Sequence, residues 1–218
     1  MDRWWMYESL DIQRQKMQYI TVTDAEPQFE PVSLEEAKNY LKVDYATDDD
    51  LIKILIHVAR KQIENELGGL AIVRRSVTQK QTGGIEKLEV MRQPLNSITS
   101  ITYYENFDSA GSVVAASNYR FVDGMIIHKD GYWKAGRDGD GYVIVYNAGI
   151  STDTGQAAEN SPHTLRQAIM RIVAYLYENR EEYVTHINEG NMTVTYDKKT
   201  RSDVNLLLMP YHTGKGVF

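Results

Sequence analysis

The chain has 218 residues, of which 42% are hydrophobic and 25% charged, with 24 Lys and Arg against 30 Asp and Glu. These are values of a folding chain, at a length where about 70% of the unfolded surface can be buried in one domain or in a core plus a subdomain. The absence of cysteine excludes disulfides, thiolate metal sites, iron–sulfur clusters and cysteine nucleophiles, and a net charge of -6 is the wrong sign for gripping phosphates over the whole surface.

No stretch approaches the roughly 18 consecutive apolar residues of a membrane span. The start, Met1-Asp2-Arg3-Trp4-Trp5, lacks the apolar run of a signal peptide, so the expectation is a chain kept in the cytoplasm with no membrane partner. Fifteen tyrosines outnumber the four phenylalanines and three tryptophans together, a bias that suits wet subunit interfaces.

Residues 1–30 carry Trp4, Trp5, Tyr7 and Tyr19 without sustained periodicity and read as an N-terminal arm that orders on a partner. Ser33-Leu34-Glu35-Glu36 is a capping box and predicts a helix over about 33–41. A second helix is predicted over 47–67, with Asp48, Asp49 and Asp50 at the positive end of its dipole and Gly68-Gly69 as its stop. Its apolar face is Leu51, Leu55, Val58, Ala59, Ile63 and Leu67. From about 71 to 149 the period changes to two, in about six runs separated by turn signals such as Gly83-Gly84, Asp123-Gly124 and Asp130-Gly131. That stretch predicts an antiparallel sheet or partly closed barrel.

Ser151 to Asn160 reads as a linker, and Ser161-Pro162 as an N-cap with proline at the first helical position of a helix over 162–180. Tyr183 to Arg201 is polar, with one short strand pattern at Met192 to Tyr196. A short C-terminal helix is expected at about 203–209, ended by Pro210, with 213–218 as a tail. The fold class is therefore α+β: a helical-bundle core, 31–70 and 151–212, interrupted by a β-rich insert at 71–150. The helical core is expected to contain Leu34, Leu41, Leu51, Leu55, Ala59, Ile63, Leu165, Ile169, Val173 and Tyr177.

No catalytic, metal or cofactor motif emerges. Gly149-Ile150-Ser151-Thr152-Asp153 lacks the second glycine of a nucleophile elbow. Asp48 to Asp50 and Asp138-Gly139-Asp140-Gly141 each lack the glycine an EF-hand loop requires at its sixth position. The five histidines, His57, His128, His163, His186 and His212, form no pair at zinc-binding helical spacing. Carboxylate pairs such as Glu64 with Glu66, or Glu181 with Glu182, fit solvated faces, and Lys198, Lys199 and Arg201 are too short a run for nucleic-acid recognition. The chain is expected to be no enzyme and to use no cofactor.

Taken in order, Pro31-Val32-Ser33-Leu34-Glu35-Glu36-Ala37-Lys38, Leu41-Lys42-Val43-Asp44, Asp50-Leu51 through Ala59-Arg60 to Ile63-Glu64, Pro94-Leu95-Asn96-Ser97-Ile98 and Val145-Tyr146-Asn147-Ala148-Gly149 form an ordered series. Pro162, Leu165, Ala168, Ile169, Tyr177-Glu178-Asn179-Arg180-Glu181 and Leu207-Leu208-Met209-Pro210-Tyr211 continue it. The series resembles the head–tail connector (adaptor) family of tailed bacteriophages, in its longer form with a β-rich insert. Two departures are His212, where the family often has arginine, and a leader longer than usual. The resemblance implies a homo-oligomeric, twelvefold ring in the virion neck, assembled in the host cytoplasm. Its partners would be the portal protein and the next neck or tail protein, with double-stranded genomic DNA passing through the channel without sequence recognition.

On this reading the helices build the ring wall and the insert meets the rim or a neighbour. The portal-docking element is expected in Leu206, Leu207, Leu208, Met209, Pro210, Tyr211 and Phe218, and truncation after Asn205 is expected to abolish docking while sparing the fold. A second reading is a β-domain binding module for carbohydrate or a surface protein on a helical scaffold, supported by Tyr103, Tyr104, Tyr119, Tyr132 and Trp133.

Overall fold

In the computed structural model, which describes residues 19–152, 160–179 and 198–212, the first described element is a strand that sequence periodicity does not announce. β1 (Ile20–Asp24) pairs antiparallel with β2 (Arg75–Gln81), with Ile20 opposite Gln81 and Asp24 opposite Val77. This part of the expected arm is thus sheet. Five residues of mixed polarity carry too weak a signal, and the pairing is supplied by a strand more than fifty residues away. The remainder of the arm, residues 1–18, lies outside the described residues, as do Met192 to Tyr196, Glu181, Glu182, His186, Phe218 and most of the linker.

α1 (Leu34–Leu41) opens on the expected capping box: the Glu36 amide donates to Ser33 Oγ at 3.2 Å, and the Ser33 amide to the Glu36 carboxylate at 3.0 Å. Lys42 closes it in the left-handed conformation at φ 58. α2 (Asp49–Glu66) starts two residues later than the sequence suggests. Its N-cap is Asp48, whose carboxylate caps no backbone amide and instead accepts from the Tyr177 hydroxyl at 2.5 Å. That bond raises the Tyr177 phenol pKa, with Tyr45 as the next cause.

The β-rich part comprises β3 (Lys87–Glu89), β4 (Leu95–Tyr103), β5 (Ser112–Val113), β6 (Tyr119–Val122), β7 (Met125–His128) and β8 (Tyr142–Ala148). Two sheets result, one of five strands in the order β1-β2-β8-β4-β5 and one of three in the order β3-β7-β6. α3 (His163–Glu178) and α4 (Lys198–Leu208) complete the described α-helices and strands, with 3-10 turns at Ala116–Asn118 and Met209–Tyr211. The N-cap of α3 is Pro162 rather than Ser161, whose buried hydroxyl lies 2.7 Å from that of Ser151. α4 begins five residues earlier than the short C-terminal helix expected from 203, since its first turn is polar and has no apolar period to read.

These elements form two units. Of the described residues, the first takes 19–24, 77–91 and 98–146, and the second 25–76, 92–97, 147–152, 160–179 and 198–212, so the boundaries fall inside β2, β4 and β8. In the first unit Trp133, 1% exposed, donates its indole N–H to the Ile126 carbonyl at 3.0 Å and meets Tyr142 edge-on at 5.2 Å between ring centroids. Gly83 is required there, because a Cβ would lie 2.1 Å from the Lys134 carbonyl oxygen.

In the second unit the core gathers Val32, Ala37, Ile52, Leu55, Ile56, Ala59 and Ile63 with Leu165, Ala168, Ile169, Ile172, Val173 and Leu176, closed by Val204 and Leu208. Each large aliphatic side chain so buried contributes about 1.5–3 kcal/mol. Of the expected core residues, Leu55, Ala59, Ile63, Leu165, Ile169 and Val173 are buried, while Leu34, Leu41, Leu51 and Tyr177 are partly buried and pack against the cluster.

Candidate interaction site and its charged anchor

Short extended segments around residues 70–74, 93–94 and 149–151 meet within the second unit. Ala71 donates to the Gln93 carbonyl at 2.7 Å, Ile150 to Ala71 at 3.0 Å, Ser151 to Ile72 at 2.9 Å and Arg74 to Ser151 at 2.9 Å. Glycine is required at position 149, where φ is 148 and a Cβ would fall 2.3 Å from Arg74 Cα and N. Leu70, Ala71, Ile72, Val73 and Ser151 are all buried.

Glu64 fixes this junction to α2. Its carboxylate accepts from the Ile72 amide at 2.9 Å, Arg75 Nη1 at 2.8 Å, Arg75 Nη2 at 2.9 Å and Arg60 Nη1 at 3.1 Å. Arg60, 1% exposed, turns its other edge to Glu30, at 2.7 Å from Nε and 3.1 Å from Nη2, and reaches Glu26 at 3.3 Å. Burial opposes the Arg60 charge, but Glu30, Glu64 and Glu26 outweigh it and raise its pKa. Lys61 completes the set, holding Glu26 at 2.6 Å and keeping that carboxyl below its usual pKa.

This arrangement ties α2 to the backbone of the junction. Glu64 is saturated by four donors, whereas its sequence neighbour Glu66 is exposed, so the pair does not converge as an acid and base. The sequence does not single out Arg75, Glu26 or Glu30, and it names Arg60 only within the ordered series. The visible signal was Arg60 and Glu64 at i, i+4 on a helix face that is otherwise apolar.

The expected docking residues do not share one surface. Leu208 is 0% exposed beside Val204, and Leu207 packs partly against the core. The Tyr211 hydroxyl lies 3.0 Å from Thr164 Oγ1. Leu206 and Met209, by contrast, are 63% and 65% exposed. With Arg201, Ser202 and Asn205 they line a shallow groove of about 320 Å³ on the outer side of α4. Pro210 is exposed beside them, and Phe218 lies outside the described residues. Leu208 is thereby removed from the docking set, since an i, i+4 pair with Val204 seats it in the core.

Of the aromatic residues that favoured a β-domain binding module, Trp133 is enclosed, and Tyr103 spends its hydroxyl on the Ala135 carbonyl at 2.8 Å. Among the described residues no three His, Asp or Glu side chains converge as a metal-binding group, and no helix is long and apolar enough to cross a membrane.

Residues 30–212 match the family described as Head completion protein. The chain belongs to that family. A head completion protein is a structural part of the particle, and the head–tail connector role implied by the resemblance rests on this match. No curated protein sequence matches the chain. The solved structures similar in fold include the following three. The neck of an empty gene transfer agent (GTA) particle computed with C6 symmetry has a TM-score of 0.67 at 16% identity, covering 90% of this chain and 97% of that chain. The virion of the native GTA particle gives 0.66, 16%, 90% and 97%, and the native neck computed with C12 symmetry gives 0.60, 18%, 89% and 97%. At such identities the shared property is the fold.

Proposed function

We propose that this head completion protein is a non-enzymatic ring subunit in the neck of a tailed particle, placed between the portal and the next neck or tail protein. The match over residues 30–212 carries the reading, and the fold it shares with chains of GTA necks computed with C6 and C12 symmetry supports a cyclic assembly. In this role the helices of the second unit form the ring wall and the first unit serves contacts between neighbours. The acidic chain, at a net charge of -6, offers DNA few phosphate partners as it slides through.

The portal contact is assigned to the outer side of α4, where Leu206 and Met209 stand exposed beside Arg201. Helix faces of this kind dock into complementary apolar grooves. The test is Leu206→Asp combined with Met209→Asp in the full chain. Both side chains are solvent-facing, so melting should stay within about 0.5 kcal/mol of the parent while portal binding is lost. Undiminished binding assigns the portal contact elsewhere. For the ring itself, electron micrographs of particles carrying this chain should show it at the neck, and a neck without it overturns the reading.

A further inference from the structure

The two edges of the three-stranded sheet are not equivalent. Along β3 the buried Gln79 side chain takes the place of a further strand: Nε2 donates to the Glu89 carbonyl at 2.6 Å and Oε1 accepts the Met91 amide at 3.0 Å. Among the described residues β6 has no such cover. The two-residue turn at Asp123 and Gly124, φ 48 and 78, makes Val122 and Met125 a hydrogen-bonded pair. At the other end Lys129 donates to the Asn118 carbonyl at 2.7 Å, in the same phase. Alternation then turns the N–H and C=O of Tyr119 and Phe121 away from β7. Among the described residues nothing bonds them there, and Phe121 and Val122 stand 39% and 37% exposed. An apolar open edge of this kind is a template for another strand.

β1 supplies a second open edge in the same unit. Thr82 donates to the Tyr19 carbonyl at 3.3 Å and Ala25 to Ser76 at 2.9 Å, which fixes the phase of the β1 ladder and turns the backbone groups of Ile20 and Val22 outward. These too have no partner among the described residues.

We infer that β6 of one copy adds antiparallel to β1 of the next, with Phe121 opposite Ile20 and Tyr119 opposite Val22, so that a strand joint links neighbours in the ring. The inference rests on the ring reading above. In this register every outward N–H and C=O of Tyr119 and Phe121 meets a complementary group of Val22 or Ile20. The apolar side chains fall on one face, and exposed Arg120 lies opposite exposed Thr21. Pairing of β6 with itself would be two-fold and close at a dimer, whereas two different edges repeat about a ring axis.

The absence of native cysteine makes the test direct. Arg120→Cys and Thr21→Cys, both at exposed positions, would occupy a pair without mutual backbone bonds, where Cβ atoms approach most closely. In oxidised particles carrying the double variant, the monomer band on a non-reducing gel should be lost into a ladder of dimers, trimers and higher species, with each single variant monomeric. A neck ring visible in micrographs without a ladder overturns the strand joint and leaves the ring reading standing; the absence of a ring overturns both. Dimers from Arg120→Cys alone would show β6 pairing with itself, which also overturns it. As an independent variant, Phe121→Pro deletes an outward amide and spares the bonds to β7. It should keep the circular dichroism spectrum and melting temperature of the parent and lose ring formation, and rings formed as in the parent would refute the joint.

Discussion

Glu64 shows how one side chain can decide the path of several segments. Four donors converge on a carboxylate that is 4% exposed, and Arg60 and Arg75 are buried with it, at 1% and 6% exposed. Such a cluster gains little over a well-packed apolar one, but removing one partner leaves uncompensated charge in the interior. Glu64→Gln is therefore expected to cost about 3–5 kcal/mol, read from urea unfolding of the full chain. A loss under about 1 kcal/mol would mean that water reaches the two arginines. Sequence exposed only the Arg60 and Glu64 spacing on α2. Arg75, Glu30 and Glu26 are distant in the chain, and no local period connects them.

At the scale of elements, the two ends of the helical set contrast. α1 is specified locally, since Ser33 and Glu36 satisfy each other's amides within four residues. Ser33→Ala should accordingly cost about 1 kcal/mol, measured as a shift in the thermal transition. α4 is specified by what it packs against. Val204 and Leu208 are its buried pair, and Tyr211 is tied to Thr164 on α3, so truncation after Asn205 removes part of the core as well as the docking face. The expectation that this truncation spares the fold is thereby replaced. Leu208→Ala should cost about 2–5 kcal/mol in denaturant unfolding, against little change for the Leu206 and Met209 double variant. Equal losses in the two would mean that α4 has no distinct outer side.

For the whole molecule the informative quantity is charge. Thirty acidic residues against 24 basic ones give a net charge of the wrong sign for counterion-releasing contacts with duplex DNA over the whole surface. The full chain should not retard duplex DNA in a gel-shift at about 50 mM salt, where electrostatic binding is strong. Retardation that disappears by about 200 mM salt would instead reveal a basic face and contradict a sliding conduit. Exposed apolar groups are spread over both units, with Leu206 and Met209 in the second and Phe107, Val113 and Phe121 in the first. That distribution suits a subunit with more than one neighbour.

The sequence by itself determined what is written in local period and local chemistry: the α+β class, the N-cap of α1, the glycine stop of α2, the turn at Asp123-Gly124 and the ordered family series from residue 31. These depend on residues within a few positions of one another, whose preferences survive without tertiary context. Only the tertiary structure decided that Ile20–Asp24 is a strand, that Glu64 joins Arg60 to Arg75, and that Leu208 faces inward while Leu206 faces out. Each of these is set by a partner far along the chain. A run such as Leu206-Leu207-Leu208 is apolar at every position, and only the neighbouring helix selects which leucine is buried.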